Sequence, residues 1–259
     1  MAERFALDLV FPNGASDKLA QAAAQAAYRW SDIIRTNYNS TAIVEAGRRF
    51  CRYNLTREYV VRDMLVIVLV EKLDGLNNIY AQGGVCAVDA VGNPRMGIIR
   101  IDADDLPMLQ AMDDLSVLLT HELGHCLGLG TLWDARKLMS PEPIRPIVYE
   151  GKQGNLGHQE VGGDGENALV EDEGGPGTAR VHWKESVYGE ELMTSTHSSS
   201  AVVSVMTIRA LIDLGYQVDL SQADHFEVPL RSSTRQRRGR VLKYANDVEV
   251  HPPVVIDFR

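Results

Sequence analysis

The residues most able to do chemistry are His121-Glu122-Leu123-Gly124-His125. On a helix, two histidines four apart project from one face, near enough for both imidazoles to reach one metal ion, and the Glu between them can reach a water activated there. The residue types suit zinc. Neutral imidazole is a good zinc ligand, zinc brings the pKa of a coordinated water to about 7, and a carboxylate can take the proton during attack on a polarised carbonyl. The same five residues also occur by chance on exposed helices, or as hydrogen-bonded core residues of a metal-free module. Two features favour the metal. Leu123, Cys126, Leu127 and Leu129 surround the polar residues with apolar ones, so part of this helix must be buried, and buried polar groups need partners. Gly128 follows His125 by three positions and permits the positive φ of a helix stop, where the chain must turn if a distant ligand is to return to the ion.

A catalytic zinc usually has three protein ligands and an open position. Downstream lie His158, His182, His197, His225 and His251, and carboxylates such as Glu142 and Glu150. Pro141, Pro143 and Pro146 argue against a helix carrying either Glu. Residue types alone leave the histidines open.

The elements that must position this set follow from periodicity. Residues 4–11 alternate as a strand and end at Pro12-Asn13-Gly14, and Ser16 is a candidate N-cap for a helix with Leu19, Ala22, Ala23, Ala26, Ala27, Trp30, Ile33 and Ile34 on one face. Met64 to Val70 is a short branched run covered on both faces, hence a central strand. Tyr80 to Val91 and Arg95 to Ile101 flank a Gly92-Asn93-Pro94 turn as two further strands. Asp113 is a candidate N-cap for the histidine helix, which Gly128 and Gly130 end. From Pro141 to Gly177 the composition becomes Gly-, Pro- and acid-rich, which predicts a long loop or small subdomain. Residues 203–214 form a last helix, stopped by Gly215. Beyond about residue 230 a basic, peripheral tail is expected, with Arg231, Arg235, Arg237, Arg238, Arg240 and Lys243.

Composition narrows the partners. The chain has 259 residues, 26 basic against 35 acidic, a net charge of -9 and three cysteines. An acidic surface does not neutralise phosphates, so nucleic acid is excluded as a partner. The longest apolar run, Met64 to Val70, is far below the roughly 20 residues of a spanning helix. No secretory signal is visible at the N-terminus. Cys51, Cys86 and Cys126 allow at most one disulfide. The acidic stretch with Asp164, Glu166, Glu171, Asp172 and Glu173 lacks a calcium-loop spacing and reads as a solvated loop.

Taken together, His121-Glu-Leu-Gly-His-Cys-Leu-Gly-Leu-Gly-Thr-Leu-Trp133, Glu173-Gly-Gly-Pro-Gly-Thr178, His182-Trp183 and Glu191-Leu-Met-Thr194 resemble the leishmanolysin family of metzincin metallopeptidases, particularly its bacterial members. The likeness spans roughly residues 79–217. Thr131 stands where a compact metzincin pattern would place its third histidine. Members of this family insert a long segment there, and the resemblance selects His182 instead, with Met193 at the family's Met-turn spacing. It implies one zinc ion on His121, His125 and His182, Glu122 as general base and acid, Gly128 as the helix stop, and Met193 as the floor of the metal site. The implied fold is α+β and metzincin-like: a twisted mixed sheet with a backing helix and the active-site helix, then a less regular C-terminal subdomain. The expected division is 1–130, 131–230 and a 231–259 tail. Peptide substrates would lie extended along an edge strand, expected at Gly97 to Ile101 with Gly97, Ile98 and Ile99 in contact. Family likeness suggests export, whereas few cysteines and no visible signal leave a cytoplasmic location open. The expected activity is a zinc endopeptidase, and the alternative is a catalytically silent zinc-binding effector.

Overall fold

The computed structural model describes residues 4–38, 40–112, 114–229, 242–243, 248 and 252–258. Asp113, His251 and the arginines of the basic tail lie outside the described residues.

Strand β1 (Leu7–Val10) turns into α1 (Asp17–Ile33), where Ser16 Oγ accepts the Leu19 amide at 3.3 Å, as its N-cap position predicts. Next, β2 (Ala42–Val44), β3 (Arg49–Phe50), β4 (Tyr53–Asn54) and β5 (Tyr59–Val61) form two nested antiparallel pairs, β2 with β5 and β3 with β4. Strands β6 (Met64–Glu71), β7 (Ala81–Val88) and β8 (Pro94–Asp102) follow. Then come α2 (Leu106–Met112) and α3 (Leu115–Cys126). Asp114 holds the N-cap position of α3, without a side-chain cap bond. Downstream are α4 (Lys152–Glu160), α5 (Glu185–Tyr188), β9 (Thr196–His197), α6 (Val205–Asp213), β10 (Leu242–Lys243) and β11 (Val254–Val255).

The main sheet has the order β1-β6-β8-β7-β11 and is mixed: β6 runs parallel to β1 and β8, while β7 is antiparallel to β8. Period-two alternation divides β6 between two cores. Met64, Val66 and Val68 join the apolar cluster under α1 and α3, whereas Leu65, Ile67 and Leu69 join the one under β2 to β5. Each aliphatic side chain buried this way contributes about 1.5–3 kcal/mol. A Cys51–Cys86 disulfide ties the hairpin layer to β7, and Cys126 stays a buried thiol. The architecture is α+β with a mixed sheet, as a metzincin-like domain requires.

Two expectations are corrected and one, for the region from Pro141 to Gly177, is made specific. β8 is not the edge strand: β6 and β7 bond to it on either side, so the main-chain groups of Gly97, Ile98 and Ile99 serve the sheet itself. Its nine residues are all buried, which an interior position demands. Gly97 instead allows close packing, since a Cβ there would lie 2.7 Å from Cys126 Cβ on α3. The region from Pro141 to Gly177 contains α4, whose first turn is held by Asp213 accepting the Gln153 and Gly154 amides at 3.0 and 2.8 Å. Finally, the described residues near the C-terminus do not form a detached tail, because β11 joins the sheet beside β7. Among the described residues no helix is long and apolar enough to cross a membrane.

Candidate metal centre

Helix α3 is buried along nearly its whole length, and it packs between α1 and the sheet because its own Gly124 and the sheet's Gly83 and Gly97 leave room. Trp30 on α1 donates its indole N–H to Thr120 O at 2.8 Å. A Cβ on Gly124 would lie 2.7 Å from Met193 Sδ and 3.3 Å from Trp30 Cζ2, so glycine here lets α3, α1 and the Met193 loop meet. Gly83 of β7 does the same on the other side, where a Cβ would stand 2.7 Å from Glu122 Oε2.

His121, His125 and His182 are 0 % exposed and converge. His125 Nε2 lies 2.9 Å from His121 Nε2 and 3.2 Å from His182 Nε2. Each Nδ1 faces a backbone carbonyl: His121 to Leu192 O at 2.7 Å, His125 to Leu129 O at 2.9 Å, and His182 to Thr178 O at 2.8 Å. A carbonyl can only accept, so these contacts favour a proton on Nδ1 and direct the Nε2 lone pairs at one another. A tetrahedral ion with bonds of about 2.0–2.1 Å to nitrogen keeps its ligands about 3.3–3.4 Å apart, close to the observed spacing. The three residues therefore fit a metal ion, with the outer nitrogens oriented as second partners of ligating histidines usually are. Glu122, on the same helix, is also fully buried.

Gly128 has φ +102° and Gly130 φ +74°, so the chain leaves α3 through two left-handed residues. Thr131 Oγ1 closes the turn on His125 O at 2.7 Å. A side chain at Gly130 would collide with Val181 O, which shows how closely the segment carrying His182 approaches the helix end. His182 is then fixed from its neighbours. Its carbonyl accepts the Glu171 amide at 2.9 Å, and Trp183 donates its amide to Met193 O at 2.9 Å and its indole N–H to Thr207 Oγ1 at 2.8 Å. Trp133 and Tyr149 pack on Trp183 with ring centroids 4.5 and 5.0 Å away.

One supporting residue escaped motif reading. Glu191 is fully buried; one carboxylate oxygen accepts the Met193 amide at 2.7 Å, the other accepts Ser204 Oγ at 2.8 Å and Thr207 Oγ1. Burial pushes its carboxyl above the usual carboxylate range, while the bonds from Thr207, Ser204 and Met193 oppose that rise. Glu191 thus ties the turn bearing Met193 to α6. Its place in the Glu-Leu-Met-Thr stretch was the available signal.

The remaining described candidates lie outside this cluster. His158 sits between Tyr188 Oη at 3.0 Å and Asp164 O at 3.1 Å, and His225 is exposed. His197 is buried, with Nε2 3.6 Å from Asp114 Oδ2. Tyr188 and Tyr216, considered as oxyanion donors, are core residues, and Tyr216 Oη donates to Leu127 O at 3.1 Å. Glu171, read as part of a solvated loop, is buried and accepts the Asp172, Glu173 and Glu185 amides at 3.0, 3.2 and 3.1 Å.

Comparison with known proteins agrees with the motifs. A family model described as Leishmanolysin matches residues 160–233, which include His182 and Met193. Leishmanolysins from Leishmania donovani and Leishmania chagasi are 30 % and 29 % identical over 169 residues, 61 % of this chain and 28 % of each of those proteins. A leishmanolysin-like peptidase from Drosophila melanogaster is 42 % identical over 59 residues, 22 % of this chain and 9 % of that protein. The chain thus spans little more than a quarter of the length of the Leishmania relatives. By its motifs, its matches and its buried cluster of three histidines, the chain is leishmanolysin-like, with an α+β architecture consistent with a metzincin-like domain.

Proposed function

We propose that this chain is a zinc-dependent endopeptidase, with His121, His125 and His182 holding one zinc ion and Glu122 acting as general base and acid. The observation that carries this reading is the convergence of three buried Nε2 atoms, each imidazole tethered through Nδ1 to a backbone carbonyl. Zinc bound there would supply Lewis acidity toward the scissile carbonyl and lower the pKa of the attacking water. Glu122 then accepts a proton from that water and hands it to the leaving amine, the work of a carboxylate kept in a dry pocket. Met193 packs beneath the histidines as an apolar floor, and Gly128 releases the chain so that His182 can return. Residues 1–130 provide α3 and residues 131–230 provide His182 and Met193, so both parts must close on one ion. Peptide or protein is the substrate class.

Glu122→Ala should retain one zinc per chain and lose peptide hydrolysis by several orders of magnitude. Hydrolysis at the parent rate by that variant would remove Glu122 from the reaction.

A further inference from the structure

The strand beside Glu122 is β7, and its outer edge is already taken. Gly83 bridges Val248 in parallel, and Ala87 and Val88 pair with Val254 and Val255. The Ile256 amide donates to Val88 O at 2.8 Å. Two side chains anchor this segment on the face away from α3. Ile256 is buried among Cys86, Ala87, Met96 and Ile98, and the Phe258 ring lies 3.5 Å from the Arg95 guanidinium carbon. The same segment also pairs across the site, since β10 runs antiparallel to β9, just beyond Met193.

Neighbouring strands lie about 4.8 Å apart. An extended chain on the outer edge of β7 at Gly83 is therefore next to Glu122, against whose carboxylate Gly83 is packed. That edge offers an incoming peptide main-chain hydrogen bonds beside the histidines. Val248 stands in that position, 5 % exposed, and Glu122 and the three histidines are 0 % exposed. A peptide bond cannot reach side chains covered to that degree.

We propose that the C-terminal segment, through Val248 and β11, occupies in cis the β7 edge on which an extended peptide must lie, and so holds the site closed until it is displaced. Its consequence for turnover rests on the peptidase reading; the occupancy of β7 does not. The occupant sought is an unstructured peptide segment, because only a chain with free backbone groups can replace the one present.

The test compares the full chain with Ile256→Asp, which removes one of the two anchors, and Val248→Asp, which places a charge at the buried bridge to Gly83. Amide exchange and binding of a synthetic peptide with the sequence of residues 248–258 are measured on chelated protein. Both variants should show faster exchange in β7 with unchanged exchange in β1 and β6. They should bind the peptide about tenfold or more tightly than the parent, whose own segment competes at high effective concentration. With zinc restored, hydrolysis of an unstructured peptide should rise in the same variants. Equal peptide binding by parent and variants overturns the proposal. So does fast exchange of the Ile256 amide in the parent, a measurement that needs no variant to fold. If the variants gain peptide binding but no zinc-loaded protein cleaves, the occupancy stands and the peptidase reading falls.

Discussion

Met193 occupies the space that a side chain at Gly124 would need: a Cβ there would come within 2.7 Å of Met193 Sδ and 3.1 Å of Met193 Cε. The glycine inside the histidine motif and the methionine beyond His182 are thus one packing unit. Gly124→Ala gains about 0.5–1 kcal/mol of helix propensity. It also overpacks a closed site, at about 1–3 kcal/mol. The net expectation is a lower melting temperature and weaker zinc binding. In a Met193→Ala background the added methyl should become neutral or stabilising, with a coupling of about 0.5–3 kcal/mol in a double-mutant cycle of urea unfolding. Additive effects would separate the two residues.

Glu191 supports the same turn from the opposite side. Replacing it by Ala leaves the Met193 amide and the Ser204 and Thr207 hydroxyls buried without their acceptor, each at about 1–3 kcal/mol. Leu192 O, inside that turn, faces His121 Nδ1 at 2.7 Å, so loosening it should reach the metal. Second partners of this kind alter metal affinity by about 10- to 100-fold. The expected result is a loss of at least about 3 kcal/mol in the chelated protein, together with weaker zinc in a competition titration. Full zinc affinity in a destabilised variant would confine Glu191 to core packing.

Much of this was legible because local rules and tertiary fold agree. The apolar run of β6, the Ser16 cap and one-sided pattern of α1, and the turn at Gly92 each have a single low-energy solution, and the structure adopts it. The histidine motif was legible because four-residue spacing on a helix fixes which side chains meet. His182 was not, since nothing local states which of five histidines the chain returns; only family likeness singled it out. β8 was misplaced because strand order depends on long-range pairing: an apolar run marks burial and does not say which neighbour lies outside it. The C-terminal residues were misread for a related reason. Their arginines dominate the composition, while a few residues around Ile256 determine where the segment docks. Glu191 stood inside the quoted Glu-Leu-Met-Thr stretch without a role of its own, because its burial is set by Ser204 and Thr207 at the start of a later helix.

His197 should impose a pH dependence on stability. Burial lowers its pKa below the ordinary histidine value, and Asp114 acts in the opposite sense. A depressed folded-state value means that the unfolded chain takes up the proton first. Stability from this group is therefore present above about pH 6.5 and lost as pH falls through that value. His197→Gln keeps a donor for Asp114 and cannot titrate. Melting temperatures of chelated parent and variant should converge, or cross in favour of the variant, between pH 7.5 and pH 5.5, a window of about one unit on either side of 6.5. Parallel curves would mean that His197 protonates equally well in both states.

Zinc, if held by residues so far apart in sequence, should act as a cross-link between α3 and the segment ending at His182, which lies 57 residues beyond His125. Binding only the folded state stabilises by about 2.7 kcal/mol at a free ion concentration of 100 Kd. Adding zinc to the chelated parent should accordingly raise its melting temperature, and excess chelator should reverse the shift. His121→Ala, His125→Ala and His182→Ala should each abolish most of the shift, because two imidazoles and water bind zinc far more weakly than three imidazoles. His158→Ala serves as the control: it removes another buried histidine, lowers stability through the lost contacts to Tyr188 and Asp164, and should keep the zinc-dependent increment. Thermal denaturation of the five proteins with and without zinc decides the point. A full increment in His182→Ala would place the third ligand elsewhere, and an equal loss in His158→Ala would show that the shift reports general destabilisation and not coordination.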